Sequence, residues 1–169
     1  MAVTGVRQEL RLDDQLCFAL YAATNTVVRR YRPLLAAIGL TYSQYLVMLV
    51  LWQDGTRSVS EIAFRLALPG NAVTPLVGRL EAAGLVQRTQ QPADRRVVQV
   101  RLTDAGAELE TAAADVQREV ACSTQLSDDE LAGLREQLHD LLGRMDVPHP
   151  PTCAGPGARN QPDPIEGAS

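Results

Sequence analysis

The sequence contains no lysine: all 16 of its basic residues are arginine, set against 20 acidic residues. No apolar run approaches the roughly 18 residues that a membrane span requires. The opening MAVTGVRQELRLDD lacks the apolar stretch of a secretory signal, so the expected location is cytoplasmic. There are only three cysteines, Cys17, Cys122 and Cys153, at distant positions. An odd, scattered set excludes a disulfide scaffold of the secreted type, and any disulfide formed would be a redox event. The two histidines, His139 and His149, stand apart from any Cys, His or carboxylate cluster at ligand spacing, so no metal site is expected. No glycine-rich phosphate loop is present, and no cofactor is expected. The acidic set Asp128-Asp129-Glu130 reads as favourable charge at a helix N-terminus rather than as a catalytic pair.

What remains is 169 residues with 46% apolar side chains, enough for one folded domain with a sizeable core. Charge is uneven. Residues 1–56 hold five Arg and four acids, 57–101 seven Arg and three acids, and 102–169 four Arg and thirteen acids. A basic middle in an acidic chain implies a local anion-binding surface, although a solvated charged face gives the same signal. Residues 146–169 carry six Pro and three Gly. They cannot bury enough surface to offset ordering and read as a flexible tail, which leaves a domain over 8–145.

Along that domain the apolar period is helical, then briefly β, then helical again. Leu16, Leu20, Val27, Leu34 and Ile38 form one stripe, predicting a long helix over 12–37. Thr41 with Gln44, Ser58 with Glu61 and Ser127 with Glu130 are capping boxes that open further helices. The stretch from Tyr45 to Trp52 is apolar almost all round and predicts a buried helix. A short helix over 59–66 and a turn at Leu68-Pro69-Gly70 precede a helix over 71–83, with Asn71 as N-cap and Gly84 as stop. The β-branched runs 85–88 and 97–102 flank a polar stretch, 89–96, and predict a β-hairpin. Helices over 104–122 and 128–145 follow.

Short helix, turn, helix and basic-tipped hairpin is the layout of a winged helix-turn-helix in a mainly α chain. A helix fits the major groove with its N-terminal residues toward the bases, and an arginine-bearing hairpin can reach the adjacent backbone or minor groove. The expected partner is double-stranded DNA; a winged helix used for protein contact is the alternative. Arg79, Arg88, Arg95, Arg96 and Arg65 are the available cations.

The residues Asp94-Arg95-Arg96 followed by Leu102-Thr103-Asp104-Ala105-Gly106 resemble the D-x-R…LT-x-x-G signature of the MarR family of regulators. The stretch Val73-Thr74-Pro75-Leu76 with Arg79-Leu80-Glu81 resembles that family's recognition helix. Leu16-Cys17-Phe18-Ala19-Leu20-Tyr21 and Leu40-Thr41-Tyr42-Ser43-Gln44-Tyr45-Leu46-Val47-Met48 look like its OhrR branch, the organic-hydroperoxide-sensing repressors. The likeness covers about residues 10–145. It implies a homodimer held by helices over about 12–38 and 104–145, a DNA-binding module over 57–102, a near-palindromic operator, and Thr74, Arg79, Arg88, Arg95 and Arg96 as DNA contacts. Gly70, Ala72, Gly78 and Gln90 stand where the family carries polar or basic residues.

The same likeness makes Cys17 the redox-sensing thiol, supported by the phenols of Tyr21, Tyr31 and Tyr42, and implies an intersubunit disulfide with Cys122 after oxidation by an organic hydroperoxide. Hydrogen bonds from phenols favour a thiolate, and an apolar surround of Leu16, Phe18, Leu46, Met48 and Leu49 would favour organic oxidants. Cys153 reads as a bystander. Two other readings stay open: a regulator answering to a small aromatic ligand in the dimer pocket, and a thiol peroxidase using Cys17 and Cys122. The latter lacks a Pro-x-x-x-Thr-x-x-Cys arrangement, so the chain is not expected to be an enzyme.

Overall fold

A computed structural model describes residues 10–91 and 94–146. A 3-10 turn, Leu12–Asp14, precedes α1 (Leu16–Ala37) and α2 (Tyr42–Asp54); β1 (Arg57–Ser58), α3 (Val59–Arg65), α4 (Gly70–Ala82), β2 (Val86–Gln91) and β3 (Asp94–Leu102) follow. The helices α5 (Asp104–Ser123) and α6 (Asp128–Asp146) complete the order. The chain divides into two compact units after Gln125, so α6 stands in the second. This is a winged helix-turn-helix with a small antiparallel sheet, as the pattern predicts.

The core lies where the end of α1 meets α2, α3, α4 and the sheet. Leu35, Val47, Met48, Leu51, Ile62, Val73, Val77, Leu80, Val86 and Val100 are fully buried there. On α4 the inward residues Val73, Val77 and Leu80 fall four and three apart, one stripe of a helix, and each such side chain contributes about 1.5–3 kcal/mol on burial. The long α1 is different. Only Leu35 of it is buried; Leu16 and Val27 of the predicted stripe are exposed and Leu20, Leu34 and Ile38 half-buried.

All three capping boxes form. Thr41 accepts from the Gln44 amide while Gln44 Oε1 accepts from the Thr41 amide at 2.8 Å; Ser58 and Glu61 and Ser127 and Glu130 do the same. The Ser58 hydroxyl, then its amide, holds Glu61 below the ordinary carboxylate range, and the Ser127 amide, then its hydroxyl, does so for Glu130. A carboxyl whose folded value lies below its unfolded value stabilises at pH above the unfolded value and loses that contribution as pH falls through the folded one. Acidification from about pH 5 to pH 3 is therefore expected to lower the thermal midpoint of wild type more than that of Glu61→Gln/Glu130→Gln, read by circular dichroism. Equal falls would exclude the capping carboxylates as acid-labile groups.

Four predicted boundaries need correction. The first helix begins at Leu16, because Asp13 and Asp14 turn in a separate 3-10 segment and Gln15 is extended. The recognition helix begins at Gly70 with Pro69 as N-cap and no side-chain cap bond, so Asn71 sits inside it and Pro75 falls in its second turn. The hairpin strands run further than expected, to Gln91 and from Asp94, with a register shift between Gln90, opposite Val98, and Gln91, opposite Asp94. The two-residue β1 pairs antiparallel with β3, Arg57 opposite Val100. It was not predicted, since two residues carry no readable period.

Candidate nucleic-acid interface and thiol pair

The turn from α3 to α4 is tight. Ala67 holds φ +52°, and the Leu68 amide donates to the Ala63 carbonyl at 2.9 Å. The left-handed conformation costs a non-glycine residue about 1–2 kcal/mol, which the surrounding bonds must offset. Within α4, the Thr74 hydroxyl donates to the Gly70 carbonyl at 3.1 Å. Its oxygen remains an acceptor on an exposed side chain. Pro75 has no amide hydrogen, so the carbonyl of Asn71 loses its helical donor.

Thr74 and Arg88 come together. Both line a cleft of about 460 Å³ that also takes in Ser58, Ser60, Gly70, Val97 and Val98. Arg79, exposed near the end of α4, is not among the lining residues. Arg88 is already engaged: its guanidinium meets the Glu81 carboxylate at 2.5 Å, with Nε to Oε2 at 2.7 Å. The Arg88 side chain, then its backbone amide, holds Glu81 below the ordinary carboxylate range. Arg65 pairs with Asp54 at 3.2 Å. The backbone of Asp94–Arg96 belongs to β3, but the side chains of Arg95 and Arg96 lie outside the described residues, as do Cys153 and His149.

The thiols sit at opposite ends of helices. Cys17 is the second residue of α1 and Cys122 the last but one of α5, and both are free and exposed. The first-turn amides of α1 point toward the end that carries Cys17, the end where a helix favours negative charge. Tyr21, one turn on, is 67% exposed. Tyr31 and Tyr42 pack with ring centroids 5.6 Å apart, joined by a tyrosine that sequence reading did not single out, Tyr45, at 5.5 Å from Tyr31. Burial pushes all three phenols up; the hydrogen bond between Tyr31 and Tyr45 works against this at Tyr31 and with it at Tyr45. They therefore stay protonated donors at neutral pH. Among the described residues no hydrogen bond joins Cys17 to a tyrosine of its own chain. The expected apolar surround is also only partial: Met48 is fully buried in the core and cannot line an accessible thiol, whereas Leu16 and Leu49 are exposed.

Residues 40–98 match the MarR family. The chain is 43% identical over 155 residues to the HTH-type transcriptional regulator TtmR of Methylorubrum extorquens, covering 88% of this chain and 80% of that protein. The chain belongs to the MarR family. It is 35% identical over 133 residues to the organic hydroperoxide resistance transcriptional regulator of Bacillus subtilis, covering 79% of this chain and 90% of that one. Among solved structures it resembles reduced AbfR bound to DNA, from Staphylococcus epidermidis, at 34% identity and TM-score 0.67, covering 82% of this chain and 96% of that chain.

Two features of this MarR-family chain were hidden in its sequence. The motif Arg79-Leu80-Glu81 assigns no role to Glu81; its signal is an acid in the last turn of a helix, where the dipole disfavours it and a cationic partner is needed. Gly106, likewise part of a signature, proves to be a point of backbone contact. A Cβ there would lie 2.0 Å from the Leu85 carbonyl oxygen. Thr103 completes the joint by capping α5 and donating its hydroxyl to the Gly84 carbonyl at 2.7 Å.

Proposed function

We propose that this chain is a homodimeric repressor that binds double-stranded DNA through α4 and the wing and leaves it when organic hydroperoxide oxidises Cys17. The observation that carries the redox part is the exposure of both Cys17 and Cys122. Free cysteine is ordinarily among the most buried of residues, and a reactive thiol must be reachable. The relative from Bacillus subtilis is named for organic hydroperoxide resistance, and a further AbfR structure is described as disulfide-formed.

In the proposed chemistry the Cys17 thiolate attacks the distal peroxide oxygen. The O–O bond breaks, a proton goes to the departing alkoxide, and the products are an alcohol and a sulfenic acid on Cys17. The thiol of Cys122 from a second copy then displaces hydroxide, which leaves as water with the thiol proton, and a disulfide forms. That bond requires Cα atoms about 4.4–6.8 Å apart. Drawing α1 of one copy onto α5 of another shifts the helix that abuts the wing root at Gly106, and the recognition helices lose their spacing of about 34 Å on the duplex. The dimer uses apolar surface that each chain leaves uncovered: Leu16 and Val27 on α1, and Leu134, Leu138, Leu142 and Met145 on α6. In this reading DNA binding lies over 57–102 and dimerisation over 12–38 and 104–145. Thr74, Arg79, Arg88, Arg95 and Arg96 are the proposed contacts to DNA.

The test is a titration of the full chain against a duplex enriched from a randomised pool, before and after cumene hydroperoxide and then with dithiothreitol. Binding, release and recovery are expected in that order. Affinity should fall steeply with salt, by about 10³-fold or more between 50 and 200 mM for a dimer making at least six phosphate contacts. Failure to bind any duplex at low salt overturns the DNA reading. Undiminished binding by protein whose Cys17 has been oxidised overturns the redox reading.

A further inference from the structure

Glu81 stands in the last turn of the recognition helix, yet both of its oxygens are occupied by a single residue of the wing. Oε2 accepts from Arg88 Nε at 2.7 Å and lies 2.5 Å from Nη2. Oε1 accepts from the Arg88 backbone amide at 3.1 Å. That amide belongs to β2, which is an edge strand in the sheet order β1-β3-β2. An edge strand presents alternate amides that no neighbouring strand can satisfy, and Glu81 fills one of these positions. A single carboxylate thus fixes the wing root to α4 and sets the plane of a guanidinium that lines the cleft with Thr74.

Arg88 could serve DNA in two ways. A loose arginine attracts any phosphate and strengthens binding to every sequence alike. An arginine whose Nε hydrogen and one Nη2 hydrogen are held by a carboxylate presents its remaining donors, on Nη1 and the other side of Nη2, in one fixed plane, and a planar fork fixed in this way discriminates by geometry. The cost of the second arrangement is a negative charge at the interface, which weakens attraction to phosphates in general. Both expectations follow from the same three contacts.

We propose that Glu81 is a specificity-determining positioning residue, holding Arg88 at the wing root so that it favours one sequence over others instead of adding uniform affinity. The inference rests on the DNA-binding reading above. Its consequence is that neutralising Glu81 moves specific and non-specific binding in opposite directions. A residue needed only for folding would lower both, and a residue acting only by charge would raise both.

The experiment uses the full chain. Wild type first enriches duplexes from a randomised pool. Affinities of wild type, Glu81→Gln, Arg88→Lys and the double variant are then measured by anisotropy at fixed salt, on the enriched duplex and on a shuffled duplex of the same composition. For Glu81→Gln the shuffled duplex should bind as before or up to about threefold more tightly, while the ratio of enriched to shuffled affinity falls about tenfold. Arg88→Lys keeps the charge but not the fork and should show the same fall in ratio. The double variant should fall no further, because the two residues act through one contact. An unchanged ratio, a parallel loss on both duplexes, or a double variant that falls by the product of the single effects overturns the positioning role. If wild type enriches no duplex, the DNA-binding reading itself fails. If it does and Glu81→Gln keeps the ratio, only this inference fails.

Discussion

Cys17→Ser is expected to bind the enriched duplex within about twofold of wild type, since surface substitutions rarely exceed about 0.5 kcal/mol, and to remain bound when organic hydroperoxide is added. Cys17 is exposed, so exchanging sulfur for oxygen there removes no core contact. It removes the only atom at that position that an oxidant can attack. Cys122→Ser separates the next step: Cys17 is still oxidised, but no cross-linked dimer appears on a non-reducing gel. A cross-linked band surviving in Cys122→Ser would refute that pairing and turn attention to Cys153. Retained hydroperoxide response in Cys17→Ser would favour the small-ligand reading. Sustained hydroperoxide turnover with a thiol reductant, in place of one stoichiometric oxidation, would revive the peroxidase reading.

The role of the phenols is sharpened by where they lie. Tyr31, Tyr42 and Tyr45 form a protonated cluster, with Tyr45 buried and the other two half-buried, that does not hydrogen-bond Cys17 of its own chain. If they support a thiolate they do so for Cys17 of a second copy, which ties thiol reactivity to dimerisation. Tyr42→Phe would then slow oxidation of Cys17 in the dimer while leaving its DNA affinity unchanged.

What was legible in the sequence was local. Serine or threonine three residues before glutamate or glutamine marked three helix starts, because side chain and amide there exchange bonds within one turn. Glycine marked the stop at Gly84, which has a positive φ, as do Gly39 and Gly55 after α1 and α2. What was hidden was either too short or non-local. Strand β1 is two residues long. The wing strands pass through Thr89, Gln90 and Gln91, all polar and the first two exposed, so no alternation announced them. The start of α4 was misplaced because Asn71 looks like a cap, whereas the chain caps on Pro69. In the candidate site, residue types such as Cys17, Thr74 and Arg88 could be named in advance. The clamp by Glu81 could not, since it joins a helix end to a strand across a turn and depends on which edge amide lacks a partner.

Gly106→Ala is expected to destabilise the fold by about 2 kcal/mol or more, in contrast to Gly78→Ala, which should stabilise it by up to about 1 kcal/mol. Both glycines are helical, and alanine is the better helix former at either. The difference lies in what the added methyl meets. At Gly78 there is nothing within 4 Å, so only the propensity gain remains. At Gly106 the methyl would stand 2.0 Å from the Leu85 carbonyl oxygen and 3.0 Å from its carbon, and backbone cannot rotate away as a side-chain tip can. The first turn of α5 must lift from the wing root. Lifting it strains two further bonds: Trp52 Nε1 donates to the Gly106 carbonyl at 2.9 Å, and the Thr103 amide donates to the Leu85 carbonyl at 3.1 Å. Trp52 is the only tryptophan in the chain, so urea unfolding followed by its fluorescence reports both the midpoint and the local change. A Gly106→Ala midpoint equal to that of wild type would show that α5 is not seated on Leu85. It would also remove the joint through which a displacement of α5 at Cys122 is proposed to reach the wing.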